Sequence, residues 1–128
     1  MPRLLLLIAA IATVAVAFMH VALGGPLVVD ALRAEGDLPA VVVWLSYFTW
    51  HDGTVALLVC AAAFVYAALK PGNRALGVFA GVLVLGIGLL GLATAVFGSG
   101  ALWRTPAPYA FGVIGLLALA GALSPSRR

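Results

Sequence analysis

The sequence predicts an all-α fold, an integral membrane four-helix transmembrane bundle. Three observations carry that expectation. Of 128 residues, 65% are hydrophobic and 9% charged, against about 25% charged in a soluble domain, so there are too few charges to cover a water-facing surface. Lys and Arg also leave four long apolar stretches between them, each able to hold a span of about 20 residues. Inside hydrocarbon no water is available for backbone amides, and a helix satisfies them internally. The length suits a single domain over residues 1–128.

The first helix is expected at about 4–24, following Arg3. Gly24, Gly25 and Pro26 should stop it, because glycine permits a left-handed cap and proline cannot continue the ladder. The next stretch, 25–38, holds three of the four acidic residues, Asp30, Glu35 and Asp37. Within it, Val28 to Ala34 suits a short helix along the membrane interface. The second helix is expected at 39–69, with Asp37 as N-cap and Pro39 in the first turn. Pro71, Gly72 and Asn73 make a tight turn into a third helix at 75–98. Gly98, Ser99 and Gly100 loosen the chain, and Pro106 and Pro108 introduce a fourth helix at 106–123.

The start admits a rival reading. Arg3, an apolar run and the triplet Ala15-Val16-Ala17 resemble a signal peptide with its cleavage site. The apolar run continues through Phe18 to Leu23 with no polar region before the cut, which favours a retained first helix.

Basic residues flanking the spans set orientation. Arg3, Lys70, Arg74, Arg127 and Arg128 fall on one side, and Arg33 and Arg104 on the other. The richer side is expected in the cytoplasm, together with both the N- and C-termini. Trp44, Tyr47, Trp50, Trp103 and Tyr109 then map near the outer interface, where amphipathic rings are favoured. The net charge of +3 does not mark a nucleic-acid binder, because the basic residues are scattered and form no phosphate-binding stripe. The single cysteine, Cys60, excludes an intramolecular disulfide and any multi-cysteine metal site.

Polar groups within spans are costly and mark candidate sites. Counted from the cytoplasmic interface at about 1.5 Å per residue, His20 lies at about 25 Å, His51 at about 28 Å and Thr94 at about 30 Å. Three helices thus place polar groups at a shared depth. Trp44, Tyr47, His51 and Thr54 form one stripe of the second helix at steps of three and four, and Thr13, His20 and Gly24 one stripe of the first. Where these faces meet, His20, His51, Tyr47 and Thr54 would form a hydrogen-bonded cluster. Asp52 points about 100° away from His51.

The histidines have three readings: ties between helices, a site for axial heme iron or a metal with added ligands, and proton or solute handling by His51 with Asp52. Gly77, Gly81 and Gly88 on the third helix, and Gly112 and Gly115 on the fourth, suit close helix packing, within the bundle or against another copy or a larger membrane complex. No phosphate-cradling loop, HExxH motif or paired carboxylates are present. The leading expectation is a non-catalytic structural or accessory membrane protein whose main partner is the lipid bilayer. A heme- or metal-binding protein using His20 and His51, or a small oligomeric transporter or channel, are the alternatives.

Met19-His20, Tyr47 to His51, and Thr105-Pro106 with Phe111 and Gly112 resemble the YgdD-like family of small four-helix bacterial inner-membrane proteins of unknown function. The similarity spans most of the chain, although Phe97-Gly98-Ser99-Gly100 and the stretch after the first helix depart from the family pattern. The resemblance implies the fold and a bacterial inner-membrane location, and carries no reaction with it.

Overall fold

The computed structural model describes residues 2–124. Arg127 and Arg128, used above for orientation, lie outside the described residues. Four main helices follow one another: α1 (Pro2–Ala34), α2 (Ala40–Leu69), α3 (Arg74–Phe97) and α4 (Ala107–Leu123). Short 3-10 turns, Pro71–Asn73 and Gly100–Arg104, lead into α3 and α4. The described residues are helical or turn, with no strand among them.

α1 is the departure from expectation. It does not stop at Gly24 but continues to Ala34 through an eleven-residue π-helical segment, His20–Asp30. No glycine among the described residues adopts a positive φ, so Gly24 and Gly25 do not form a left-handed cap. Pro26 lies inside the segment. In an α-helix its ring would meet the carbonyl four residues back; the wider π turn, with bonds from i to i+5, accommodates it. The short interfacial helix expected at Val28 to Ala34 is therefore the C-terminal end of α1. Gly24 has a different task, since a Cβ there would fall 2.7 Å from Trp50 Cζ2.

Asp37 does not cap α2. The cap position is Pro39, whose side chain makes no capping hydrogen bond, and its carbonyl accepts from Val42 N at 2.9 Å. Asp37 stands two residues too early to reach the first free amides, which a cap residue serves two and three positions ahead. α3 ends at Gly98, whose N–H donates to Thr94 O at 2.9 Å. α4 has 17 residues, fewer than the span of about 20 expected of it. The 3-10 turn and Thr105 shorten it at the start, where the Thr105 hydroxyl donates to Leu102 O at 2.8 Å. At the end the Ser124 hydroxyl folds back onto Ala120 O at 2.6 Å. Three helices, α1 to α3, are long and apolar enough to cross a membrane.

The helices form a ring in which each packs on its sequence neighbours and α4 closes onto α1. The core sits in the half of the bundle that holds the chain ends: Leu6, Ala9 and Ala10 of α1, Cys60, Phe64 and Ala67 of α2, Ala80 and Val84 of α3, and Ile114, Ala118 and Ala122 of α4. Small residues dominate because the backbones approach closely. At Gly88 a Cβ would lie 2.7 Å from Gly112 N, and at Gly115 2.7 Å from Leu85 N. A Cβ at Gly77 would lie 3.1 Å from Ala67 Cβ, and one at Gly81 3.1 Å from Leu119. Gly112 differs from the others, because a Cβ on it would meet nothing within 4 Å; its backbone is what Gly88 admits. At the same end of the ring, Arg74 Nη1 donates to Ser124 O at 2.7 Å, tying the start of α3 to the end of α4. A Cβ on Gly121 of α4 would stand 3.0 Å from Pro2 O, which places the start of α1 there too.

The candidate site at the far end of helices one and two

The polar residues gather where α1 and α2 pass at the end of the bundle remote from the chain ends. His20 opens the π segment. Its Nε2 lies 3.1 Å from the backbone carbonyl of Trp50. A carbonyl only accepts, so Nε2 carries the proton and donates. The imidazole also stacks on the Trp50 indole, with centroids 3.9 Å apart and planes 11° from parallel. Gly53 lies beside this contact, where a Cβ would sit 3.7 Å from His20 Nε2, an ordinary van der Waals distance. One imidazole thus clamps two helices through an edge and a face.

His51 is placed differently. Its ring meets Tyr47, one turn earlier on α2, edge to face, with centroids 4.5 Å apart and planes at 68°. Tyr47 in turn packs edge-on to Trp44 at 5.8 Å. The Arg33 guanidinium from the end of α1 lies over both rings, 5.5 Å from the Trp44 centroid and 5.9 Å from that of Tyr47, within range of cation–π attraction. Beside this stack opens a cleft of about 230 Å³ lined by Val21, Gly25, Pro26, Val29, Asp30, Arg33, Tyr47, Trp50 and His51. His20 is not part of that lining.

The structure therefore brings Tyr47 to His51, as the helical spacing implies, and ties His20 to Trp50. Thr54 lies on the same side of α2, with its Oγ1 buried and without a hydrogen-bond partner among the described residues. Trp50 Nε1 is likewise buried and unpartnered. Two expected members stand apart. Thr94 is exposed, and its hydroxyl donates to Leu90 O of its own helix at 2.8 Å. Asp52 is exposed. Among the described residues, no group of three or more His, Cys, Asp or Glu side chains is arranged to hold a metal ion.

Trp50, Gly53, Gly24 and Arg33 are the members the sequence reading missed as site residues. Trp50 and Gly53 lie on either side of His51 in α2, and their contact with His20 depends on how α1 is rotated against α2. Arg33 falls in the short interfacial helix expected at Val28 to Ala34, separate from the first helix, so its place over the α2 rings is not legible in the sequence.

No family model, curated protein or solved structure matches this chain.

Proposed function

We propose that the chain is a membrane-inserted four-helix protein with a non-catalytic structural or accessory role, in which His20 is a tie between α1 and α2. The observation that carries this reading is the bond from His20 Nε2 to the Trp50 carbonyl, at 3.1 Å, with the stacked indole at 3.9 Å. That nitrogen is committed to a backbone acceptor and its ring face to an aromatic. Such a bond contributes about 0.6–2 kcal/mol in a membrane.

Insertion is supported by three long apolar helices and by large apolar side chains that face outward along them, among them Ile11, Phe18, Leu45, Phe79 and Leu90. In water these would be a large exposed apolar surface; in lipid they face a matching solvent. Arg3, Lys70 and Arg74 lie toward the end that holds the chain start, and positive flanks favour the cytoplasm. The location we propose is a bacterial inner membrane, as the YgdD-like resemblance implies.

The test is optical absorption and metal analysis of the chain purified from membranes in mild detergent, with His20→Gln and His51→Gln alongside. The expected result is no Soret band and no stoichiometric metal in any of the three. A Soret band or bound metal that disappears in the variants would overturn the structural role and make this a cofactor protein.

A further inference from the structure

We propose that the cleft between α1 and α2 binds a zwitterionic phosphate–amine group of the phosphoethanolamine type, an inference that rests on the membrane reading above. The site is assembled from both helices. Asp30 and Arg33 come from the end of α1, and Tyr47, Trp50 and His51 from α2.

The π segment is what brings the α1 groups into line. Val21, Gly25, Val29 and Arg33 are spaced by four residues, and all four line the cleft. In a pure α-helix of about 3.6 residues per turn this row would drift steadily around the axis. The wider π turn counters the drift and keeps the row on one side. π segments are rare and frequent at functional sites.

The chemistry of the lining selects the ligand. Arg33 presents a planar set of donors suited to phosphate oxygens. His51 adds a ring N–H. Trp50 also lines the cleft. Against these donors stands one carboxylate, Asp30, which would take an ammonium. A donor-rich wall with a single acid fits a group carrying phosphate at one end and an N–H-bearing cation at the other.

A quaternary ammonium fits less well. It offers no N–H to Asp30 and is instead held on open aromatic faces. Here Trp50 is stacked on His20, while Tyr47 is met by His51 and covered by Arg33. The cleft, at about 230 Å³, is smaller than the roughly 300–1,000 Å³ of drug-sized pockets, so it suits a headgroup rather than a whole molecule. Its height agrees. α1 runs for 33 residues, roughly 45–50 Å at an α-helical rise, and outreaches a hydrocarbon core of about 30 Å. Asp30 and Arg33 therefore reach the headgroup layer.

The test is native mass spectrometry of the full chain released from vesicles of equal parts phosphatidylethanolamine and phosphatidylcholine. The wild type is expected to retain the ethanolamine lipid about tenfold over the choline lipid, as one charge-assisted hydrogen bond would give. Asp30→Asn should bring the two to parity, and Arg33→Gln should lower retention of both about tenfold. Both side chains are exposed, so neither change disturbs the core, and circular dichroism verifies the helix content. Soluble phosphoethanolamine added to the released protein separates the two sources of the group: displacement assigns the cleft to the free compound, and no displacement to the lipid. Flotation of the chain with the vesicles is read in the same samples. A chain that does not float overturns the membrane reading and the proposal together. A chain that floats but retains the two lipids equally, or ignores both substitutions, overturns the proposal alone.

Discussion

Gly115 gives the sharpest test of how α3 and α4 are held together. A Cβ at this position would stand 2.7 Å from Leu85 N and 2.8 Å from both Leu85 Cα and Cβ. Ordinary contact begins at 3.4 Å, so the closest of these atoms is 0.7 Å too near. Two of the three are backbone, and no rotamer change can move them. Gly115→Ala must push the helices apart by a comparable distance. A gap of about 0.5–1 Å forfeits a quarter to a half of the dispersion well for every contact along the seam. Overpacking of this kind costs about 1–3 kcal/mol, and the helix propensity of alanine over glycine returns at most about 1 kcal/mol. The expected net loss is about 1–2 kcal/mol. Gly112→Ala, one turn away, is the control, because its Cβ would meet nothing within 4 Å; it should be neutral or more stable by up to about 1 kcal/mol. The assay is denaturation in mixed micelles of mild detergent and dodecyl sulfate, followed by circular dichroism. Equal midpoints for Gly115→Ala and wild type, or a matching loss in Gly112→Ala, would refute the close-approach argument.

Gly24→Ala should act on the polar end of the bundle. Its Cβ would sit 2.7 Å from Trp50 Cζ2, displacing the indole from His20, with a loss of about 1–3 kcal/mol and a shift in tryptophan emission; unchanged emission and midpoint would count against that contact. Arg74→Ala removes the donor to Ser124 O and a cation at the C-terminal end of α4, for a loss of about 1–2 kcal/mol in the same denaturation assay. Arg74→Lys should recover part of it through charge alone.

Much of the helix layout is legible in the sequence because its punctuation is chemical. Asn73 and Pro71 before α3, Gly98 after it, and Pro106 before α4 all stand where the helices begin or end. α1 misleads because Gly24, Gly25 and Pro26 look like a stop on local grounds. The helix crosses them by changing its hydrogen-bond register over His20–Asp30, which no local preference announces. The site divides along a similar line. Tyr47 and His51 are four residues apart on one helix, so their contact follows from α-helical geometry alone. The contact of His20 with Trp50 depends on how α1 is rotated against α2. That rotation is hidden, because each helix is apolar on every side, the expected pattern for a helix surrounded by lipid or protein. Thr94 shows the same limit: matching depth says nothing about which way a side chain faces.

The central claim is that all four helices cross the membrane and leave both chain ends on one side, although α4 has only 17 residues. It is tested most directly by labelling with a membrane-impermeant maleimide in intact cells, on a Cys60→Ala background. Single cysteines are introduced as Asn73→Cys, Ser124→Cys, Gly36→Cys and Ser99→Cys, at positions between or beyond the helices. The account predicts that the Gly36 and Ser99 variants label in intact cells, while the Asn73 and Ser124 variants label only after lysis. Labelling of the Ser124 variant together with those at Gly36 and Ser99 would show that α4 does not cross, and would contradict the four-span account.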